Sequence, residues 1–270
     1  MRRRILISAA AFLAAALLAG AGAARAASIL TYEREELPGG GVLIVKEAHQ
    51  LPMVTVRVAI PAGSRYEPPG KAGLGNMVAA TVIRGAAGRS ALDIEKMNDR
   101  LGGGVGVDAG RLTATASLRT LTRDIEEGMD LLADILRRPS FPEKEIEKTR
   151  RRILGGLKRR KDRPGHLADE AFRKRLFGDH PQGRLPVGSP ETVKGVTRGD
   201  LAAFHRKWYG MKGSIFAFVG DITLARAREL VLARFRDWKA EGGEPPAAAM
   251  PPAPEGLVVE KVDRPLSQTT

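Results

Sequence analysis

The sequence predicts an α+β fold, and three observations carry that reading. Stretches of alternating or β-branched apolar residues mark strands around residues 29–60, 101–120 and 214–220. Between and after them, apolar residues recur at helical spacing in several separate segments. The chain has 270 residues, 43% hydrophobic and 28% charged, which suffices for one large domain or two small ones with a real core.

Residues 29–47 alternate in strand fashion around the glycine turn Pro38-Gly39-Gly40-Gly41, which predicts a hairpin or a pair of adjacent strands. MVTVRVAI at 53–60, bounded by Pro52 and Pro61, reads as a strand buried in a sheet. Residues 72–85, AGLGNMVAATVIRG, open with Gly73 and Gly75, run through Met77, Val78, Val82 and Ile83, and stop at Gly85; this predicts a short buried helix. Ser90 is placed to cap a helix reaching Leu101, with Ile94, Met97 and Leu101 on one face.

The glycine-rich run at 101–120 lacks the Gly-Lys-Ser/Thr ending of a phosphate loop and the strand-loop-helix order of a dinucleotide fold. Its alternation through Val105, Val107, Ala109, Leu112, Ala114, Ala116 and Leu118 predicts a hairpin turning at 108–111. Helices follow at 124–136 and, from Pro142, to about Lys161. The second contains the pair Gly155-Gly156, which weakens a helix by about 1 kcal/mol per glycine and calls for a close packing contact or a kink. An amphipathic helix at 164–177 turns Leu167, Ala171 and Leu176 inward, and a helix at 198–208, a buried strand at 214–220 and a helix at 224–235 complete the pattern. Residues 239–255 are rich in proline and alanine and read as a linker; 256–270 read as the first strand of a second domain, interrupted at Thr270.

The first 26 residues have the layout of a cleavable signal peptide. Arg2, Arg3 and Arg4 precede an apolar run from Ile5 to Gly20, and Ala24-Arg25-Ala26 forms a small-x-small cleavage site. The run is shorter than the roughly 20 residues needed to span a bilayer, so no stable membrane span is expected. A periplasmic or secreted location follows. The absence of cysteine excludes a disulfide framework, a thiolate metal site and a cysteine nucleophile. The net charge of +13 admits nucleic acid, an anionic membrane surface or an acidic partner, and export argues against nucleic acid.

AGSRYEPPGKAGL at 62–74, the helix after it, and RGAAGRSALDIEKMNDRLGGGVG from Arg84 resemble the zinc-binding core of the pitrilysin/insulinase (M16) metallopeptidases. The segment at 178–222, with its His-Pro turn at His180, is the strongest positive match to that family. The resemblance implies that residues 27–238 form one half of a pitrilysin-type clamshell, an α+β domain with a mixed β-sheet flanked by helices. It also implies a zinc motif, His-x-x-Glu-His, on the short helix. Two histidines at i and i+4 share a metal there, while the carboxylate between them takes a proton from the metal-bound water. In this chain those three places fall on Asn76, Ala79 and Ala80. The family's third ligand, a glutamate on the long helix, falls on Gly156, and a supporting glutamate earlier on that helix falls on Thr149. Zinc is expected in the family, but its ligands are absent at all five positions.

Other constellations carry less. The long helix bears Arg150, Arg151, Arg152, Lys158, Arg159, Arg160 and Lys161, a solvated face or a basic binding face. His49, His166, His180 and His205 show no metal-ligand spacing and suit turn or surface roles; no Gly-x-Ser-x-Gly elbow occurs. Asp93, Glu95, Asp124, Glu126 and Glu127 lie at helix starts, where carboxylates meet the dipole favourably. The function expected is a non-catalytic, exported subunit that pairs with a zinc-bearing M16 peptidase and helps enclose a peptide substrate. The alternatives are an envelope binding module that uses the basic helix and a metallopeptidase with unrecognised ligands.

Overall fold

Side-chain alternation builds the sheet. The strands are β1 (Glu33–Leu37), β2 (Gly41–Glu47), β3 (Met53–Ile60), the two-residue pair β4 (Gly85–Ala86) and β5 (Arg89–Ser90), β6 (Gly104–Ala109), β7 (Ala114–Leu121) and β8 (Ile215–Gly220). Six of them form one mixed sheet in the order β1-β2-β8-β3-β7-β6. Strand β8 lies parallel to β2 and antiparallel to β3; every other pairing is antiparallel. The computed structural model describes residues 31–178, 180–247 and 256–261. The expected leader and most of the expected second-domain strand lie outside the described residues, as do residues 248–255 of the expected linker.

Register places one apolar residue beside another across the inner face. Leu43 and Val45 pair with Phe216 and Phe218, which pair in turn with Val58 and Val56, and these with Ala116 and Leu118. All eight are essentially inaccessible. Helices α1 (Leu74–Val82), α2 (Ala91–Arg100), α3 (Ile125–Arg137), α4 (Glu143–Arg160), α5 (Pro164–Phe177), α6 (Pro190–Lys194), α7 (Arg198–Trp208) and α8 (Leu224–Phe235), with short 3-10 turns at Ser64–Tyr66, Thr122–Asp124 and Pro181–Gly183, complete the described elements. Among them α3 packs on β7 and β6, α8 on β2, and α1 on β6 and β7. The opposite face of the sheet exposes Arg57, Arg119, Ile215 and Val219.

Several boundaries differ from the sequence pattern. The β6–β7 turn falls at residues 110–113 rather than 108–111, because Asp108 pairs with Thr115 and Ala109 with Ala114; Leu112 consequently sits exposed in the turn. β3 and β8 are buried on one face only. Helix α1 ends at Val82, and Gly85 does not stop it; Gly85 opens β4, where Ser140 and Pro142 approach too closely to admit a larger residue. Helix α5 has no fully buried residue: Leu167, Ala171 and Leu176 are half-buried and Phe172 is exposed. The serine cap at Ser90 is present, completed by Asp93 into a reciprocal capping box.

The start of α1 is held by a close approach of two backbone segments. Gly73 caps the helix with φ +93°, and Gly188, with φ +77°, passes so near that a β-carbon on it would lie 2.3 Å from the Ala72 carbonyl oxygen. Gly188→Ala should therefore cost about 2 kcal/mol or more, from left-handed strain plus the clash. Urea denaturation checks this, and a variant as stable as the wild type would contradict it.

Candidate functional site

Helix α1 has no side-chain cap of its own at Gly73. Its first amides are satisfied from outside the helix: Glu67 Oε1 accepts from Gly73 N at 3.1 Å and from Gly75 N at 2.9 Å. Glu67 is only 2% exposed, and its Oε2 is buried with no hydrogen-bond partner. Burial raises its carboxyl to about 8, against the opposing pull of the two amides and of Arg184. Near neutral pH the group is thus mostly an uncharged acid that still accepts both amides. Lys71 adds an outer tie, reaching Asp200 at 2.8 Å and the Gly195 carbonyl at 3.2 Å.

With α1 so fixed, its outer side faces α4 and β6 across a cavity of about 600 Å³. Asn76, Ala79 and Ala80 line it from α1, and Gly156 lines it from α4. Four of the five positions singled out from the sequence therefore meet in one place. The fifth, Thr149, is buried in α4 and lies outside the lining. An added β-carbon at Gly156 would meet nothing within 4 Å, and at Gly155 it would touch only the end of Arg159. Neither glycine is explained by close packing, and α4 runs unbroken through both.

The donor set does not fit zinc. Alanine and glycine offer no side-chain donor, and Asn76 is a poor one. The cavity adds one imidazole, His166, and one carboxylate, Asp108. Among the described residues no three His, Cys, Asp or Glu side chains come together as a metal site requires. No step of water activation by a metal can be assigned to these residues.

The seven basic residues of α4 and its end do not share one face. Arg150 is turned inward, its side chain only 12% exposed. It donates to the carbonyls of Val193 and Val196 and pairs with Glu147 at 3.0 Å, so it clamps α4 to the α6 region. Arg152 and Arg159, both exposed, and the half-buried Arg160 line the cavity, while Arg151, Lys158 and Lys161 are exposed outside it. Sequence reasoning stopped the basic run at Lys161 and so missed Arg163, which lines the same cavity, together with Asp108 and His166. Arg163 stands two residues beyond that run, next to the proline that starts α5, and this was the available signal.

The remaining histidines sort by environment. His180 accepts from Gln182 N in a turn. His49, on the surface, is raised by hydrogen bonds to Asp221 at 2.7 Å and Glu47 at 3.0 Å. His205 is neither a turn nor a surface residue: burial lowers it to about 4, and it reaches the Leu136 carbonyl at 2.8 Å. Trp208 and Tyr209, at the end of α7, are core.

The pattern of the insulinase peptidase family M16 matches residues 42–185, and that of the peptidase M16 inactive domain matches residues 195–270. An uncharacterized zinc protease of Mycobacterium leprae is 28% identical over 200 residues, 74% of this chain and 44% of its own. One from Mycobacterium tuberculosis is 28% identical over 224 residues, 83% of this chain and 51% of its own. The chain spans about half the length of the curated relatives it matches. Among solved structures, a peptidase M16 inactive domain from Pseudomonas fluorescens superposes with a TM-score of 0.74 at 27% identity, over 83% of this chain and 54% of that one. The periplasmic protease PqqL from Escherichia coli shares the fold, with a TM-score of 0.73 at 19% identity over 82% of this chain and 25% of that one.

Two outcomes test the site's physics. A carboxyl raised by folding contributes stability that is full below its ordinary value of 4.5 and is lost as pH rises through about 8. Between about pH 5 and about pH 9 the wild type should lose about 2 kcal/mol or more relative to Glu67→Gln, read from urea midpoints. Equal pH trends in the two proteins would show that Glu67 titrates normally. Gly156→Ala should raise stability by about 0.5–1 kcal/mol, since the helix gains propensity and nothing is displaced; a loss in thermal denaturation would mean the cavity is filled.

Proposed function

Because the chain belongs to the M16 (insulinase) peptidase family, we propose that it is a non-catalytic member that pairs with a zinc-bearing M16 peptidase and helps enclose peptides in the cell envelope. The observation that carries this reading is the cavity between α1 and α4, whose lining brings together Asn76, Ala79, Ala80 and Gly156, residues that supply no set of metal donors. The framework that would orient such a set is retained: the seated start of α1, the long α4 facing it, and the β6 edge beside both. A fold kept while its reactive groups are replaced suits a partner that shapes a chamber and leaves proton transfer to another subunit. The match of residues 195–270 to the M16 inactive-domain pattern supports kinship with the family, while residues 42–185, which hold the cavity, match its peptidase pattern.

Residues 27–238 would then form the first half, 239–255 a linker and 256–270 the beginning of a homologous second half. Export through the leader at 1–26 fits the periplasmic location named for the PqqL protease. No helix among the described residues is long and apolar enough to cross a membrane.

The test is co-purification from the native cell envelope, followed by peptide hydrolysis and metal analysis of the chain alone and of the pair. The expected outcome is near-stoichiometric recovery of a relative bearing His-x-x-Glu-His, with zinc and hydrolysis found only when that relative is present. Stoichiometric zinc and hydrolysis by the purified chain alone would overturn the proposal, as would a stable monomer that ignores such relatives.

A further inference from the structure

The cavity between α1 and α4 has a charge balance opposite to that of a cation site. Arg152, Arg159, Arg160 and Arg163 line it against a single carboxylate, Asp108. Among the described residues Arg152, Arg159 and Arg163 form no ion pair. Arg160 has only a long contact, 4.0 Å, to Asp169, and that carboxylate is already held by Arg173 at 3.0 Å. The Nε donor of Arg160 is buried without a hydrogen-bond partner. Arg111 also has a buried, unpartnered Nε; burial and the charge of Arg173 lower its guanidinium, Asp169 opposes them, and Arg160 adds a smaller lowering. Arg152, Arg159 and Arg163 are exposed at the cavity and Arg160 is half-buried, so their guanidinium groups give it a positive rim that attracts an anion.

The rest of the lining shows what kind of anion fits. Ile83, Val107 and Leu157 give the cavity an apolar wall, and its volume suits a few residues of chain rather than a bare inorganic ion. Val105 N donates to Asn98 Oδ1, away from the neighbouring strand, and Val107, two residues on, presents its backbone in the same direction at the cavity edge. An extended backbone thus has groups to bond, aliphatic side chains have a wall, and carboxylates have guanidinium forks.

We propose that this cavity is a binding site for an acidic peptide segment, with the carboxylates held by Arg152, Arg159, Arg160 and Arg163 and aliphatic neighbours held by the apolar wall. The inference concerns the chain's own cavity and does not depend on recruitment of a peptidase.

The experiment is fluorescence anisotropy of the intact chain with a labelled hexapeptide alternating Leu and Glu, against the same peptide with Gln for Glu, each with and without inorganic phosphate. The acidic peptide should bind at least about tenfold more tightly than the Gln peptide, the size expected of charge-assisted bonds. The double variant Arg152→Gln with Arg159→Gln should lose about tenfold in affinity, whereas Arg151→Gln with Lys158→Gln, equal in charge but outside the lining, should change it less than about twofold. Gly156→Glu, which places a carboxylate in open space at the cavity wall, should also lose about tenfold; it serves if the arginine variant fails to fold. Equal binding of the two peptides overturns the proposal, as does an equal loss in both double variants, which would mean net charge alone. Displacement by phosphate at a concentration below that of the bound peptide would assign the cavity to a free inorganic anion and overturn the peptide reading.

Discussion

The carboxyl of Glu67, shared between the amides of Gly73 and Gly75, is the interaction on which the arrangement of the site depends. A nine-residue helix is too short to be stable alone. Its first amides must find acceptors, and here the acceptor comes from a segment outside the helix. That choice sets where α1 begins, and therefore which of its side chains face α4. The mutual approach of Gly73 and Gly188 leaves no room for the start to shift. Asn76, Ala79 and Ala80 are consequently held in one orientation toward the cavity although none of them can do metal chemistry.

Rigid seating of a helix whose outward residues are inert separates two properties that an active metallopeptidase combines. Geometry is supplied by the buried acid, the glycine contact and the packing of α1 against β6, β7 and α7. Chemistry is supplied by the polar residues that line the cavity, and here four of those are arginines, beside Asn76, Asp108 and His166. The small side chains of Ala79, Ala80 and Gly156 leave open volume between α1 and α4, and four guanidinium groups border it.

Much of the fold was legible because the sheet's inner face writes itself as a period of two and the helices as a period near 3.6; β3 and most helices begin and end within a residue or two of the pattern. The errors lie where tertiary pairing decides. The β6–β7 turn is set by cross-strand register with Thr115, which no local pattern reports. The exposure of one sheet face was legible in β3, where Thr55 and Arg57 alternate with Val54, Val56, Val58 and Ile60, but the density of β-branched residues and the flanking prolines favoured a fully buried strand. In the cavity, resemblance located Asn76, Ala79, Ala80 and Gly156, but Arg163, His166 and Asp108 come from separate loops and strands and meet only in three dimensions. The split of the basic run followed from helix geometry: three consecutive residues at about 100° spacing cannot all face one way, so Arg150 turns inward and Arg151 outward.

Strand β8 has a consequence for the order in which the molecule can be assembled. It is nearly the last element of the described chain, yet it sits between β2, near the beginning, and β3. Until residues 215–220 are available, the β1–β2 hairpin has no ladder connecting it to the remaining strands, and both flanking strands keep a bare hydrogen-bonding edge. Closure of the sheet thus joins contacts separated by most of the chain, a topology with high contact order and slow folding. A polypeptide still being synthesised or threaded cannot close this sheet early, and its open edges are the segments that a holding chaperone would have to cover.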